Sequence, residues 1–433
     1  LPLLASPGAR RVHCSPNETQ EQSFMAKSSN GGSGKGKNTS INVCLVGQKF
    51  MGRTHSNAFL KVDKFFDVPI KPVMHTIVGR NEAELREFQE RWGWQNSSTD
   101  WKRAVRDERI GLVDIGTPNH LHAEMSIAAL EAGKHVACEK PLAGTLADAR
   151  QMRDAAKKVG RKQQTFVWYN YRRVPAVALA HQLVRDGKLG RIFHVRAFYL
   201  QDWGVPGVPL LWRFQKKFAG SGAHGDLNAH IVDMARFITG DEIFEVVGSI
   251  AETFIKERDI PSSGPAGGIA AGTKGSGAKK GKSDVDDAVL FLARFKQGAV
   301  ASFEATRLGT GNQNKNGIEI NGEKGSIRFN FEDMNYLEFY DATAERRVQG
   351  WTKIMVTHGG DHPYVGNWWP DAHIIGYEHG FVNQVADMMN MLGGKPPVVP
   401  MPDFEDAFNT QQVLEAAMIS AQNRAPVRVS EMK

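Results

Sequence analysis

Only three cysteines occur in the 433-residue chain, Cys14, Cys44 and Cys138, and they lie far apart. The last two sit inside apolar, strand-like runs, so neither a disulfide framework nor a cysteine-based zinc site is expected, and a reducing, cytoplasmic setting is the default. No stretch approaches the roughly 18 consecutive apolar residues of a membrane-spanning helix. A concentrated basic face is also missing. Of the formal net charge of +7, residues 1–40 carry +3 and residues 256–284 another +3, both in Gly- and Ser-rich segments. Nucleic acid is therefore not expected as a partner, and no membrane is. What is present, 41% hydrophobic, 23% charged and 9% aromatic residues, suffices for two or three domains with cores.

Residues 1–40 read as a disordered leader. A secretory signal does not fit, because the apolar run Leu3-Leu4-Ala5 is short and Arg10-Arg11 follow it. The stretch from Gly31 to Gly36-Lys37 imitates a phosphate-binding loop, but Asn38 stands where Ser or Thr is needed and no strand precedes it.

From Ile41 strands alternate with helices. Ile41–Val46, Val73–Val78, Leu112–Ile115 and His135–Cys138 read as buried strands. A helix begins at Gly52–Phe59, Glu82–Trp92 is another, and Leu121, Met125, Ala128 and Ala132 fall at helical spacing ahead of a capping Gly133. Thr145 with Asp148 caps a helix running to about Val159. This predicts an α/β Rossmann domain with a parallel, doubly wound sheet over 41–165. After Phe166 the strands run Ile192–Leu200, Glu245–Phe254, Ala288–Phe295, Ala299–Thr306, Gly317–Asn321, Ser326–Phe331 and Leu337–Tyr340, several joined by short turns. An α+β domain with a large, mostly antiparallel sheet is expected over 166–433, with a mobile loop at about 256–284.

Strand Ile41–Val46 runs into Gly47-Gln48-Lys49-Phe50-Met51-Gly52, where a dinucleotide fold turns its backbone under a pyrophosphate. The middle glycine of the usual fingerprint is Lys49, whose ammonium is expected to face the phosphates; alone, the half-motif is equally a tight strand-to-helix turn. At the tip of the second strand stand Gly79-Arg80-Asn81, with no acid to hold both ribose hydroxyls of NAD. Arg80 suits adenine stacking or a 2′-phosphate, so both NAD and NADP are admitted.

Two further segments carry chemistry. Gly116-Thr117-Pro118-Asn119-His120 and Cys138-Glu139-Lys140-Pro141 end successive strands, at the carboxyl edge where open parallel sheets bind ligands. Gly220-Ser221-Gly222-Ala223-His224-Gly225-Asp226-Leu227-Asn228-Ala229-His230 puts Asp226 and His230 one helical turn apart, which suits a carboxylate that orients an imidazole. Each has an ordinary rival: Lys140 as a solvated lysine, His230 as a core histidine, His120 and His122 as helix-entry residues.

On Glu139-Lys140-Pro141 and the Asp226/His230 pair, the chain from about 41 to 430 resembles the glucose-fructose oxidoreductase / inositol dehydrogenase / rhizopine catabolism (GFO/IDH/MocA) family. Asn170-Tyr171-Arg172-Arg173, Gln201-Asp202-Trp203, Trp212-Arg213-Phe214-Gln215-Lys216 and His362-Pro363-Tyr364 add a likeness to its sugar and glycoside dehydrogenases. The resemblance implies hydride transfer between a nicotinamide and a carbinol carbon, with Lys140 touching the reacting hydroxyl, His230 taking its proton and Asp226 steadying His230. Gly47, Lys49, Phe50, Met51, Gly52, Arg80, Thr117, Pro118, Asn119, His120, Glu139 and Lys140 are then expected at the cofactor. Lys140, Arg172, Trp203, Arg213, Asp226, His230 and His373 are expected at the substrate, with Trp212, Trp368 and Trp369 as further flat faces. A neutral sugar, anhydrosugar, glycoside or cyclic polyol fits, no metal is required, and a homodimer or homotetramer is implied. A glycosidase or lyase that oxidises its substrate transiently, and a cofactor-binding regulator without chemistry, are the alternatives.

Overall fold

The computed structural model describes residues 39–261 and 279–432. Cys14, the expected leader as far as residue 38 with its Gly31–Lys37 imitation, and residues 262–278 lie outside the described residues. Ser40, assigned to the leader, already starts a strand.

Six strands form the first sheet: β1 (Ser40–Val46), β2 (Lys71–Val78), β3 (Asn96–Ser98), β4 (Leu112–Ile115), β5 (His135–Cys138) and β6 (Thr165–Val167). They are parallel, in the order β3-β2-β1-β4-β5-β6. That order is the one that binds dinucleotides at its switch point, between β1 and β4. Helices α1 (Phe50–Phe65), α2 (Glu82–Trp92), α3 (Trp101–Val105), α4 (His122–Glu131) and α5 (Leu146–Val159) make the connections. Runs such as Val43-Cys44-Leu45 are wholly buried because helices cover both faces. Asn81, Asp100 and Thr145 cap α2, α3 and α5 with their side chains. Helix α1 starts at Phe50, two residues before its expected start, with Lys49 as N-cap.

The rest of the chain builds α6 (Pro175–Arg185), β7 (Ile192–Leu200), α7 (Lys216–Ala219), α8 (Ala229–Thr239), β8 (Ile243–Glu252), β9 (Glu257–Asp259), β10 (Lys280–Lys282), β11 (Ala288–Phe295) and β12 (Val300–Thr306). It continues with β13 (Lys315–Gly322), β14 (Gly325–Asn330), β15 (Tyr336–Asp341), β16 (Trp351–Met355), α9 (Tyr377–Leu392), α10 (Phe404–Asn423) and β17 (Val427–Arg428). Nine of these strands make a sheet in the order β16-β15-β14-β13-β7-β12-β11-β8-β17. Every pair in it is antiparallel except β7 with β12. One face is core: in β11, Val289, Phe291, Ala293 and Phe295 are buried while Leu290 and Leu292 point outward.

The segment 256–284, expected as a mobile loop, is a correction at both of its described ends. There β9 and β10 pair as an antiparallel ladder, Arg258 opposite Gly281, and Arg258 is buried. Composition misleads here because Arg258 anchors β9, and the Gly- and Lys-rich β10 pairs with β9 through its backbone.

Two buried charge clusters fasten the elements around the site. Arg172 pairs with Asp233 on α8 and Asp406 on α10, and Arg236 adds Asp406, Glu242 and the Thr410 hydroxyl. Under the first sheet, His55 of α1 lies between two carboxylates, Nδ1 at 2.9 Å from Asp114 and Nε2 at 3.1 Å from Glu139, and stacks on Trp168 at 4.0 Å. Trp168 Nε1 donates to the other Asp114 oxygen at 2.8 Å. Burial alone would depress the imidazole, but Asp114 and Glu139 outweigh it and raise its pKa to about 9.

An imidazolium whose folded pKa lies above its unfolded value near 6.5 contributes stability that is complete below pH 6.5 and is lost as the pH rises through 9. His55→Gln is therefore expected to cost about 3 kcal/mol at pH 6, with the gap to wild type closing toward pH 10. Urea unfolding of both proteins across that range checks it; a gap that does not vary with pH means that His55 is uncharged.

Candidate active site

The carboxyl ends of β1, β2, β4 and β5 open onto a cleft of about 1480 Å³, whose far wall comes from β7, β12 and the segment 212–230. That volume accommodates a dinucleotide together with a small second ligand.

On the β1 side the backbone forms a close cradle. Gly47 has φ +123°, and a Cβ there would stand 2.6 Å from the Gly116 carbonyl oxygen. A Cβ on Gly52 would stand 2.2 Å from the Gly47 oxygen, so Gly52 serves the cradle by packing beneath it and does not line the cleft, a correction to its expected contact role. Lys49 has φ −87°, outside the left-handed region that favours glycine. Its ammonium pairs with Glu84 of α2, which Gln48 also reaches at 3.2 Å, instead of being held free for a phosphate. Phe50, Met51, exposed Arg80, Thr117 and Pro118 line the cleft. Asn119 and His120 line it too, and bond to the Ala219 and Phe218 carbonyls at 2.9 and 3.2 Å, tying the two walls together. A glycine-only turn, a helix N-terminus behind it and an open groove toward Arg80 fit an NAD-type dinucleotide.

Beyond Glu139, whose Oε2 accepts the Lys140 N–H at 3.0 Å, the reactive groups gather on one carboxylate. Lys140 Nζ donates to Asp226 Oδ1 at 2.9 Å and to the Asp226 carbonyl at 2.8 Å; Arg307 Nη2 donates to Asp226 Oδ2 at 2.9 Å. Burial would raise the Asp226 pKa, but Lys140, Arg307 and Arg213 hold it well below the usual carboxylate range, so it stays ionised. His230 is shifted the other way: burial and then the Lys140 charge push its pKa well below 6.5, against the pull of Asp226. The ring is neutral at pH 7, a state in which an imidazole can accept a proton. Its Nδ1 is buried with no hydrogen-bond partner among the described residues, and the rings of Tyr171 and Tyr199 stand 4.6 and 5.9 Å away.

Asp226 therefore does not orient His230 by a hydrogen bond, which corrects the one-turn pairing read from the sequence. Lys140 takes Asp226 Oδ1 and Arg307 takes Oδ2, in a π-helical turn, His224–Asn228, that leads into α8. Asp286 pins the start of that turn by accepting from the Gly222 and His224 N–H groups at 2.8 and 2.7 Å, and a Cβ at Gly222 would stand 1.8 Å from the Asp286 carbonyl oxygen. His224 is structural, bonded to the Leu414 carbonyl at 2.8 Å. His122 is structural as well, its two nitrogens facing the Pro141, Leu142 and Thr117 carbonyls.

Of the expected substrate residues, Lys140, Trp203, Arg213, Asp226 and His230 line the cleft, as does Trp212. Arg172 and His373 do not. Arg172 is taken up by Asp233 and Asp406 because its short helical turn faces α8, and exposed His373 bonds its own turn at Pro370, 2.9 Å away. Trp368 and Trp369 pack against Phe65. The sequence reading missed Arg307 at the end of β12, and a chain of polar groups on the wall facing the cradle: Tyr171 to Tyr199 (2.8 Å), Tyr199 and Gln201 to Asn314 (both 2.7 Å), and Trp203 to Gln201 (2.7 Å). Tyr171, Gln201 and Trp203 stood in the motifs singled out; Arg307 and Asn314 carried no motif.

Residues 41–167 match the oxidoreductase family with an NAD-binding Rossmann fold, and 177–328 match the GFO/IDH/MocA C-terminal domain. Levoglucosan dehydrogenase of Pseudarthrobacter phenanthrenivorans is 40% identical over 396 residues, 90% of this chain and 99% of that one. A solved levoglucosan dehydrogenase in complex with NADH superposes with a TM-score of 0.82 at 40% identity, covering 90% of this chain and 99% of that chain. An oxidoreductase domain protein from Kribbella flavida superposes at 0.84 with 46% identity and the same coverage. Together with the 3-2-1-4-5-6 parallel sheet and the Lys140, Asp226 and His230 cluster at its edge, these matches place the chain in the GFO/IDH/MocA family of oxidoreductases.

Proposed function

We propose that the protein is an NAD(P)-dependent dehydrogenase that oxidises a ring hydroxyl of a compact neutral sugar, with levoglucosan the first candidate. One observation carries the reading: a neutral imidazole and an anchored ammonium line the same cleft, where the Gly47 cradle meets polar and aromatic side chains. A nicotinamide bound there supplies the hydride acceptor. Lys140 donates to the reacting hydroxyl and stabilises the charge that grows on its oxygen. His230 takes the hydroxyl proton. Asp226 makes no hydrogen bond to His230; it holds the Lys140 ammonium in place. A neutral ring is favoured because Lys140 and Arg307 direct donors to Asp226 and do not stand free for a phosphate, and because a similar dehydrogenase is named for levoglucosan. Trp203 and Trp212 offer flat faces for C–H groups, while Gln201, Asn314 and Arg213 offer hydrogen bonds to ring oxygens.

Neutral monosaccharides, anhydrosugars, glycosides and inositols screened with NAD and with NADP, following the absorbance of the reduced nicotinamide, test this reading. Net reduction with at least one sugar supports it; release of an aglycone without net reduction marks transient oxidation instead. Among the described residues no helix is long and apolar enough to cross a membrane.

Lys140→Met is expected to lower kcat by about 10² while the NADH affinity, read by fluorescence titration, changes less than about twofold. Unchanged turnover removes Lys140 from the reaction.

Arg80 stands exposed at the β2 tip with Glu84 already paired to Lys49, so we expect both cofactors to bind, within about a hundredfold of each other. Arg80→Ala should weaken NADPH more than NADH. Equal losses would assign Arg80 to the adenine ring.

The outward face of the large sheet bears Ile250, Leu290 and Leu292, which are 62, 41 and 57% exposed on neighbouring strands. Such a face suits a homodimer or homotetramer. Sizing with light scattering at micromolar concentration is expected to give a dimer or larger, and a monomer overturns the assignment.

A further inference from the structure

Arg258, in the short strand β9, hydrogen-bonds to no group assigned to cofactor or sugar, yet it is 3% exposed and its contacts converge on the catalytic carboxylate. Its guanidinium donates to the carbonyls of Gly204 at 2.6 Å, Val208 at 3.2 Å and Val205 at 3.3 Å. It lies 3.7 Å from the centroid of the Phe214 ring, and Nη2 stands 3.7 Å from Asp287.

Each of three contacts leads on to Arg307. The Gly204 N–H donates to the Arg307 carbonyl at 3.0 Å, and Gly204 has no space for a side chain, since a Cβ would stand 2.8 Å from the Arg307 Cβ. Phe214, wholly buried, has the Arg307 guanidinium 5.8 Å from its ring centroid. The Asp287 carbonyl accepts the Arg307 N–H at 3.1 Å. Arg307 also lies over Trp203 at 5.0 Å, donates to the Arg213 carbonyl at 3.1 Å, and binds Asp226 at 2.9 Å.

We propose that Arg258 is a positioning residue for the catalytic centre: by clamping Gly204 and Phe214 it fixes where Arg307 holds Asp226, and thereby where Asp226 holds the Lys140 ammonium. The β9–β10 hairpin is thus a buttress of the sugar wall. Because the relay runs through Asp226 and not through the Gly47 cradle, it governs the sugar side and leaves the cofactor side alone. This rests on the dehydrogenase reading of Lys140 and Asp226.

Arg258→Met is expected to lower kcat/KM for an accepted sugar by about tenfold or more, with NADH affinity within about twofold of wild type. Arg258→Lys should recover part of the loss, since an ammonium still donates to the Gly204 carbonyl but lacks the planar face over Phe214. Gly204→Ala, which leaves the hairpin intact and crowds Arg307 directly, should reproduce the loss. In an Arg307→Met background, Arg258→Met should cost little more. Full kcat/KM in folded Arg258→Met, multiplicative losses in the double variant, or an equal loss of NADH affinity would each overturn the proposal. Hydrogen exchange gives a readout independent of turnover: the amides of 204–208 and 222–226 should exchange faster in Arg258→Met while those of 41–60 do not. Unchanged exchange sinks the positioning role, whereas a wild-type protein that oxidises no sugar sinks the dehydrogenase reading.

Discussion

A single half-buried carboxylate organises the charged end of the cleft. Asp226 sits where Lys140, Arg307 and Arg213 converge, and without it three cations would share a region of low dielectric. Its two oxygens are each committed to one cation, so its position is set by a residue from each sheet: Lys140 at the end of β5 and Arg307 at the end of β12. The π turn, the close-packed glycines at 220 and 222 and the acceptors on Asp286 fix the segment that carries that carboxylate.

The same economy of charge operates beneath the cofactor cradle. His55 is ionised between Asp114 and Glu139, and Glu139 in turn fixes the backbone N–H of Lys140. Lys140 is thus held at both ends: its main chain by a cluster under the first sheet, its ammonium by a cluster on the second. The neighbouring His230 feels that ammonium as a reason to stay neutral. The ionisation states of Asp226 and His230 are set by burial and by neighbouring charges, and nothing in their side-chain types alone would assign them.

Much of this was legible in the sequence. The four apolar runs ending at Val46, Val78, Ile115 and Cys138 announce a parallel sheet because strands covered on both faces leave no room for alternation. Alternation in Ala288–Phe295 announces a sheet covered on one face, and it is. Lys140, Asp226 and His230 reach the cleft as read. What failed did so where tertiary contact overrides local pattern. Three-residue strands such as β3 and β6 carry too few positions to show a period. Arg172 looks like a ligand-binding arginine until Asp233 and Asp406 arrive from α8 and α10. Arg307 belongs to no motif, and its role exists only through a partner 81 residues away.

The β7/β12 pairing is the one parallel contact in the large sheet, and it closes a loop of roughly a hundred residues that contains both the π turn and the β9–β10 hairpin. Non-local pairings of this kind form late, because the entropy of loop closure must be overcome before any contact compensates for it. Lys140 and Asp226 are themselves 86 residues apart. On the ribosome, then, the Gly47 turn emerges long before α9 and α10, which pack on α1 and α5 and bring Tyr377 and Phe381 to the cleft. The order in which the chain emerges leaves both the covering of the first sheet and the completion of the cleft to the helices made last.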